Sequence, residues 1–511
     1  MASAFPLIRN TAALEAGDFD LVVVGGGIYG AWAAYDAALR GLRVALIEKA
    51  DWGAGTSSAS SKLIHGGLRY LEHYDFALVR HALRERRTLF RLAPHLVRPV
   101  NFILPVWRGP RASPFLISAG LTLYDLLAFG GQPVPRHRYW RAAALRARYP
   151  FVDPERLLGG FRYGDCQEDD ARMTLVVVAA AQAAGCVCAS RVSALELQAD
   201  AVTARDELSG KTLILRSRAV INAAGPWAAP LLGGQAPRVR LVKGTHLVLP
   251  AIPGVQEAFL LTATDGRVFF VIPWYGKTLV GTTESVIQQA EDAQPTEAEA
   301  QYLIRAVHNG LPGLGWTEAD ILARFAGTRT LQAEDQQNLS AVSREFEILE
   351  PRPGVFMPLG GKYTTARLDA ARVVDRICRR LGRRTASRTH RQPLPGTPAG
   401  QFDAWLATRR EALQTLGVDA EAATQLCLRH GSRESRVREL IAEQPGWAAR
   451  LHPDAPFLIA EVVLAIRDEM ALSVDDILRR RLPLALLVAQ DARLDAARSE
   501  VSTLLARERA G

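Results

Sequence analysis

The chain has 511 residues, 48% of them hydrophobic and 23% charged, with a formal net charge of +9. This length predicts two or three domains, and the positive charge favours an anionic partner such as a substrate phosphate, an anionic lipid or a nucleic acid. The 7% aromatic content and the lack of a stacking module argue against nucleic acid, and five cysteines without a C-x-x-C pair argue against a disulfide-stapled scaffold.

The first predicted element is a βαβ unit at residues 18–48. An apolar strand ends at a G-x-G-x-x-G motif, a helix follows at residues 28–40, and Gly41 is expected to end it. In this pattern the first glycine allows a tight turn, the second lets backbone approach a pyrophosphate, and the third lets the helix pack on the strand. The alternative is a plain βαβ crossover. We expect an adenine dinucleotide to be bound by Gly25, Gly27, Ile28, Gly30 and Glu48.

A polar, glycine-containing loop at residues 55–70 follows the unit. Its small hydroxyl side chains and its backbone N–H groups suit close contact with a flat ring and a phosphate chain. A simple linker is the alternative. We expect cofactor contacts from Thr56, Ser57, Ser58, Ser61, Lys62, Gly66, Gly67 and Leu68.

Two helices are predicted next. Residues 75–92 contain five arginines (Arg80, Arg84, Arg86, Arg87 and Arg91), a pattern typical of a solvated face. Residues 114–130 form the most apolar long segment, but they are fewer than the ~20 needed to span a bilayer and include Asp125. A buried helix is the favoured interpretation, and interfacial membrane contact is the alternative.

The middle of the chain is predicted to consist mainly of strands. Residues 219–225 resemble a buried strand that ends in small residues beside the nucleotide, and residues 241–250 and 267–283 are assigned to one antiparallel sheet. Residues 288–310 are predicted to be helical. Later strands are expected at 324–331 and 346–357, before Gly360-Gly361-Lys362 opens another helix. Further cofactor contacts are expected from Ala224, Gly225, Gly361, Lys362 and Thr364.

The C-terminal part begins after a linker at residues 386–400, which contains three prolines and two glycines. Residues 402–510 are predicted to be helical throughout. We find no catalytic cluster in them.

Seven motifs occur in order between about residues 18 and 370: GGGIYG, TSSASSKLIHGGLRYLEHYDF, GDCQEDDAR, INAAGPW, LVKGTHLVLP, VFFVIPWYGKTLVGTTE and GGKYTTAR. Through them the chain closely resembles the FAD-dependent, quinone-linked glycerol-3-phosphate dehydrogenases. The resemblance implies FAD as the cofactor. It also implies an α/β fold: a Rossmann-like FAD domain interleaved with an antiparallel-sheet substrate domain, as in glutathione reductase and D-amino-acid oxidase, plus an all-α C-terminal domain.

The pieces are expected to form an interleaved body. The FAD domain is assigned to residues 18–92, 160–239 and 335–385, and the substrate domain to 93–159 and 240–334. The linker at 386–400 then leads to the helical domain at 401–511.

His246 is the candidate catalytic base. Oxidation of a secondary alcohol by a flavin requires a base for the hydroxyl proton, the flavin N5 for the hydride and cations that hold the substrate. His246 lies on a predicted strand of the substrate sheet, and the resemblance implies that it lies at the reacting carbon. The alternative is a hydrogen-bonded histidine of the core.

Arg69, Arg329 and Lys362 are the candidate cations for a substrate phosphate. Both arginines match family positions, but the family usually continues Arg-Pro after the second one, whereas here Thr330 follows Arg329. Lys362 also lies beside glycines expected near the flavin ring, so a role towards the cofactor is its alternative.

The resemblance implies oxidation of sn-glycerol 3-phosphate to dihydroxyacetone phosphate by hydride transfer to FAD, with electrons passed on to a membrane quinone. A glycerol-3-phosphate oxidase, or a related flavin amine or amino-acid oxidase that uses oxygen, is the alternative. We expect no metal, because the histidines lack ligand spacing and the acids at 165–170 lack a calcium-loop rhythm.

No signal peptide is visible, so we expect a cytoplasmic protein that binds peripherally to the anionic inner face of the cytoplasmic membrane. A nucleic-acid partner is not expected, and a homodimer is compatible with the sequence.

Overall fold

The computed structural model describes residues 4–68, 71, 75–109, 113–128, 130, 132–332 and 346–510. A six-stranded sheet forms the centre of the first body. In spatial order its strands are β18 (Glu347–Arg352), β19 (Val355–Leu359), β11 (Val220–Asn222), β1 (Leu21–Val24), β2 (Val44–Glu48) and β7 (Val187–Ser190). From β19 to β7 the strands run parallel, and β18 is antiparallel to β19. The strand β1 is buried on both faces, as its unbroken apolar run predicts.

The two faces of this sheet are covered differently. Helices α2 (Ile28–Leu39), α6 (Asp170–Ala183) and α8 (Ala366–Arg380) pack on the face that includes Leu21 and Val23. The opposite face, with Val22 and Val24, packs on a three-stranded antiparallel sheet of β8 (Val192–Leu197), β9 (Ala201–Asp206) and β10 (Thr212–Arg216) and on α1 (Thr11–Ala16). The alternating side chains of β1 therefore contribute to both cores.

A larger sheet forms the second body. In spatial order it contains β16 (Ser285–Ile287), β12 (Val239–Pro250), β15 (Lys277–Gly281), β14 (Val268–Trp274), β13 (Ala258–Thr262), β4 (Arg98–Trp107), β6 (Leu157–Gln167) and β3 (Leu63–Ile64). In addition, β17 (Ala323–Gln332) pairs with β12, and β5 (Arg138–Arg141) pairs with β6. The pairs are antiparallel except for β13 with β4. One face packs on α5 (Ala142–Arg148) and α7 (Glu297–Gly310).

The remaining helices lie beside these sheets. Two of them, α3 (Phe76–Leu92) and α4 (Pro114–Leu127), pack against each other near β6. The C-terminal helices are α9 (Phe402–Gln414), α10 (Ala420–His430), α11 (Glu434–Glu443), α12 (Ile459–Asp468), α13 (Leu484–Leu487) and α14 (Ala492–Ala510). Their core is continuous with that of the large sheet, which it joins through residues such as Trp274.

The predicted fold class is confirmed: an α/β body with an antiparallel sheet and a helical C-terminal domain. The boundaries assigned to the domains stay a prediction. Two helical predictions were too long. Within 288–310 the α-helix begins only at Glu297, and within 402–510 a stretch at 449–458 is not helical.

Two predictions about exposure are wrong. Arg86 of α3 does not lie on a solvated face: it is buried and donates to Asp165 at 2.5 Å. The apolar segment that forms α4 is not a buried helix, since Phe115 and Leu116 are 83% and 68% exposed. Only a narrow face of α4, with Leu121 and Tyr124, packs on the protein.

Candidate active site

A cavity of about 2820 Å³ lies where the carboxyl ends of β1 and β2 meet the large sheet. Its lining includes Gly25 and Glu48 from the first body and His246 and Phe270 from the second. Pockets for single small ligands usually occupy ~300–1,000 Å³. The cavity therefore has room for a large ligand together with a small one.

The glycine motif has the geometry that a pyrophosphate requires. Gly25 has a φ of +109°, and a Cβ there would lie 2.5 Å from the carbonyl oxygen of Ala223. A Cβ at Gly30 would overlap the carbonyl oxygen of Gly25. At Gly27, which lines the cavity, a Cβ would contact only the Oγ of Ser57, at 3.1 Å. Gly25 and Gly30 thus have the predicted roles in the turn and in helix packing, and the close approach of a pyrophosphate at Gly27 stays a prediction.

The N-terminus of α2 faces the same cavity. Gly27 is its N-cap and offers no side chain to the first N–H groups, although the N–H of Ile28 donates to Ser57 Oγ at 2.9 Å. Both residues line the cavity. Backbone N–H groups and the helix dipole at such a terminus attract an anion.

Glu48 is fixed at the end of β2. Its carboxylate accepts from the N–H of Gly26 at 2.6 Å and from the N–H of Ala50 at 2.8 Å. Burial raises the pKa of Glu48, and the two backbone hydrogen bonds oppose that shift. A carboxylate has about four lone-pair sites, so Glu48, which lines the cavity, can also accept from ribose hydroxyls.

The loop after Gly55 is tied to both bodies. Thr56 Oγ1 donates to the carbonyl of Thr328 on β17 at 2.6 Å. Lys62, with a φ of +57°, places its Nζ 2.7 Å from Asp170 and 2.7 Å from the carbonyl of Ser58. Thr56, Ser57 and Ser61 line the cavity, but Ser58 and Lys62 do not. Lys62 therefore stabilises the loop from outside the cavity, through its buried ion pair with Asp170.

The end of this loop is anchored on α4 and β6. The N–H of Gly66 donates to the Tyr124 hydroxyl at 2.9 Å, and that hydroxyl donates to Asp165 at 2.7 Å. A Cβ on Gly66 would overlap Tyr124, so Gly66 faces this anchor, whereas Gly67 and Leu68 line the cavity.

The ends of β11 and β19 supply the rest of the first body's wall. Gly225 and Gly361 have φ values of +56° and +76°, which only glycine adopts readily. The Tyr29 hydroxyl of α2 donates to the carbonyl of Lys362 at 3.2 Å. Five residues predicted to contact the cofactor line the cavity here: Ala224, Gly225, Gly361, Lys362 and Thr364.

His246 lies in the cavity wall on β12. Its ring stacks on Phe325 with centroids 5.0 Å apart, and its Nε2 lies 2.8 Å from the Oγ of Ser61. Burial lowers the pKa of His246 to about 3, and the positive charges of Lys62 and Arg329 add to this shift. Its Nδ1 has no hydrogen-bond partner among the described residues. The imidazole is therefore neutral at pH 7 and can accept a proton.

Arg329 lies on β17, next to the strand of His246, and lines the cavity. Its guanidinium is 3.3 Å from the carboxylate of Glu284, and its side chain is 29% exposed. Lys362 lines the same cavity. Arg69 lies outside the described residues, so its place in the site stays a prediction.

The sequence analysis missed two acidic residues that form ion pairs with Arg329 and with Lys62. Glu284 pairs with Arg329, and Asp170 pairs with Lys62. Both acids occur inside recognisable motifs, VGTTE and QEDDAR. Their positions in these motifs indicated that both acids matter. Their ion-pair partners, however, lie 45 and 108 residues away in the chain, and sequence spacing does not predict pairs that distant.

FAD fits this cavity. The glycine backbone leaves the cavity wall open, the terminus of α2 presents N–H groups to the cavity, and the Glu48 carboxylate lines the cavity at the end of β2. Among the residues that the structure describes, no group of three or more His, Cys, Asp or Glu side chains could hold a metal ion.

Comparison with known proteins agrees with this geometry. The model of the family "FAD dependent oxidoreductase" matches residues 20–366, and that of the "C-terminal domain of alpha-glycerophosphate oxidase" matches residues 387–510. The glycerol-3-phosphate dehydrogenase of Synechocystis sp. is 34% identical, over 94% of this chain and 91% of that protein. Glycerol-3-phosphate dehydrogenase 2 of Mycobacterium tuberculosis is 38% identical, over 92% of this chain and 81% of that protein.

A solved structure shows the same architecture over nearly the whole chain. The glycerol-3-phosphate dehydrogenase of Bacillus halodurans, complexed with FAD, superposes with a TM-score of 0.78. It is 26% identical, and the match covers 98% of this chain and 92% of that one.

Proposed function

The chain belongs to the FAD-dependent glycerol-3-phosphate dehydrogenase family, and on that premise we propose that it oxidises sn-glycerol 3-phosphate to dihydroxyacetone phosphate and passes the electrons to a membrane quinone. FAD is its cofactor. One observation carries the proposal: a neutral His246 and the cation Arg329 line the cavity that also holds the glycine motif.

The substrate phosphate is bound by cations of the cavity. Arg329 can grip a phosphate with two parallel N–H donors, and its contact with Glu284 holds the guanidinium in place until the anion arrives. Arg69 is proposed as a second phosphate ligand. Lys362 either adds a third charge or lies closer to the flavin, where a cation favours the reduced, anionic ring.

His246 takes the hydroxyl proton of the substrate. Bound FAD would supply the acceptor for the hydride released by the carbon that carries this hydroxyl. Because Lys62 and Arg329 contribute to the low pKa of His246, a substrate dianion beside Arg329 would raise that pKa and make the imidazole a stronger base. The contact with Ser61 keeps the ring oriented while the proton is transferred.

The quinone requires the protein to reach a membrane. No helix in the described part of the chain is both long and apolar enough to cross a bilayer. The exposed face of α4 instead carries Phe115, Leu116 and Leu126, which are 83%, 68% and 64% exposed, and α3 beside it carries exposed Arg80 and Arg84. Apolar side chains flanked by arginines suit shallow insertion into an anionic membrane surface, here the inner face of the cytoplasmic membrane.

The same helix borders the cavity. Ile117 and Leu123 of α4 line it, while Phe115 and Leu126 are exposed to solvent. A quinone that leaves the bilayer beside α4 would therefore meet apolar side chains on both the exposed face of the helix and its cavity-lining face.

Oxygen as acceptor is the second candidate, because residues 387–510 match the C-terminal domain of alpha-glycerophosphate oxidase. The acceptor is tested by reducing the enzyme anaerobically with glycerol 3-phosphate and then adding either a quinone or air in separate samples. We expect the quinone to reoxidise the flavin much faster than air. Faster reoxidation by air, with hydrogen peroxide formed, would contradict the dehydrogenase assignment and favour an oxidase.

A further inference from the structure

Two arginines of the C-terminal domain contact Asp51, which lies three residues after Glu48. Nε of Arg480 lies 2.6 Å from Asp51, and the guanidinium of Arg481 lies 2.7 and 2.9 Å from the two oxygens of the same carboxylate. The side chains of Arg481 and Asp51 are each 1% exposed. This is a buried ion pair between segments 430 residues apart in the chain.

Asp51 belongs to the short loop that follows Glu48. The N–H of Ala50 donates to the Glu48 carboxylate at 2.8 Å, and the N–H of Gly53 donates to the carbonyl of Gly26 at 3.0 Å. Ala50 lines the cavity, whereas Asp51 does not. The loop therefore fixes the carboxylate of Glu48, which is expected to bind ribose. Asp51 anchors the loop from outside the cavity.

Arg481 is itself held rigidly. Its guanidinium also donates to the carbonyl of Glu469 at 2.8 Å. Arg172 of α6 donates to the Arg481 carbonyl at 2.9 Å and to the Glu469 carboxylate at 2.6 Å. A buried carboxylate is strongly destabilised when it loses its cation. The conformation of the Asp51 loop consequently depends on a guanidinium that the C-terminal domain keeps in place.

We propose that Arg480 and Arg481 are positioning residues for the cofactor: through Asp51 they hold the loop that sets Glu48 for the adenosine ribose of FAD. The C-terminal domain then determines FAD affinity in addition to packing on the large sheet. The inference rests on FAD as the cofactor and is independent of the substrate and of the electron acceptor.

A purely structural ion pair would stabilise the fold without controlling the cofactor, so the test needs a matched control. Arg429 supplies it: its guanidinium is 2.9 Å from Glu461 through Nε, both side chains are at most 1% exposed, and both lie within the C-terminal domain. The test variants are Asp51→Asn, Arg480→Ala and the double variant. Arg480 is 12% exposed and its loss leaves Arg481 in place, so this variant is the mildest of the three.

The experiment uses the purified holoenzyme. Far-UV circular dichroism first gives the midpoint temperature of unfolding for each variant. FAD release is then followed by flavin fluorescence at a temperature that lies a fixed interval below that midpoint. We expect release to be about tenfold faster or more in Asp51→Asn and Arg480→Ala, as for a lost charged hydrogen bond. The double variant should release FAD no faster than Asp51→Asn, because Asp51→Asn already removes the carboxylate that Arg480 contacts. Arg429→Lys should lower the midpoint and release FAD at the wild-type rate.

Wild-type release from Asp51→Asn and Arg480→Ala would overturn the proposal, as would equal acceleration in Arg429→Lys. Additive effects in the double variant would show that Arg480 does not act through Asp51, which also overturns it. If Asp51→Asn does not fold, the rates of FAD release from Arg480→Ala and Arg480→Lys are compared instead. Arg480→Lys keeps the positive charge and should retain FAD better than Arg480→Ala. Equal release rates in these two variants would contradict the inference.

Discussion

Nε2 of His246 lies 2.8 Å from the Oγ of Ser61, so the candidate base on the large sheet is joined directly to the loop that follows the dinucleotide motif. The loop is held independently of this bond, by Lys62 with Asp170 and by Thr56 with Thr328. Because the loop is fixed to both bodies, the position of His246 relative to the side of the cavity that carries the glycine motif is fixed as well.

Arg329 should be needed for the phosphate of the substrate. A charged hydrogen bond contributes ~1.5–3 kcal/mol, so Arg329→Ala should weaken the use of glycerol 3-phosphate about 10–100-fold while FAD stays bound. Steady-state kinetics with glycerol 3-phosphate and with unphosphorylated glycerol measure this. Arg324→Ala, on the same strand but paired with Glu297 outside the cavity, is the matched control. An equal loss with glycerol would show that Arg329 does not bind phosphate.

Gly27 should be essential for the cofactor. A Cβ there would lie 3.1 Å from Ser57 Oγ, which would have to shift slightly, and a larger side chain would extend from the cavity wall where the pyrophosphate is expected. We expect Gly27→Val to yield a folded protein without FAD, measured by the flavin absorbance of the purified sample and by circular dichroism. Stoichiometric flavin in this variant would contradict the assignment of the motif.

The exposed face of α4 should bind membranes. Replacing Phe115 and Leu126 by Glu should reduce binding to anionic vesicles, because two side chains that are 83% and 64% exposed would no longer enter the bilayer. Vesicle sedimentation measures this, and binding of the wild type should weaken as salt rises. Ile214→Glu on β10, 58% exposed and far from α4 in the fold, is the control. Unchanged binding by the double variant would place the contact elsewhere.

The buried imidazole of His95 should make stability depend on pH. Burial lowers the pKa of His95 to about 3, with His430 and Arg172 adding to the shift, whereas an unfolded histidine titrates near ~6.5. The unfolded state therefore takes up the proton first, so stability is lost as pH falls below about 6.5. Between pH 7 and 5 this group alone accounts for about 2 kcal/mol.

The measurement for His95 is urea unfolding at the two pH values. His95→Phe should show a smaller loss on acidification than the wild type. Equal losses in both proteins would mean that this histidine is already satisfied in its charged form.

Local rules predicted the parts of the site that depend on backbone geometry. The three motif glycines, the end of α2 at Gly41 and the acid at the end of β2 follow from strand, turn and cap chemistry within about 30 residues. The fold class followed from the same signals together with the resemblance.

Pairings between distant residues were not predictable. Arg86 looked like part of a solvated face because its partner Asp165 lies 79 residues away on β6. The ion pairs of Asp51 with Arg480 and Arg481 connect opposite ends of the chain. The exposure of α4 was not predicted either, because an apolar helix has the same sequence pattern whether it packs inside a protein or contacts a membrane. Burial and partner choice are tertiary properties that no local pattern records.

The most direct test of the proposed function is the rate of flavin reduction by glycerol 3-phosphate in a single anaerobic turnover, compared between the wild type and His246→Ala. The account predicts rapid reduction with one dihydroxyacetone phosphate formed per flavin in the wild type. In the variant, with substrate still bound, the rate should fall by roughly 10²–10⁴, the usual contribution of a positioned base. Reduction of His246→Ala at the wild-type rate, or no reduction of the wild type by this substrate, would contradict it.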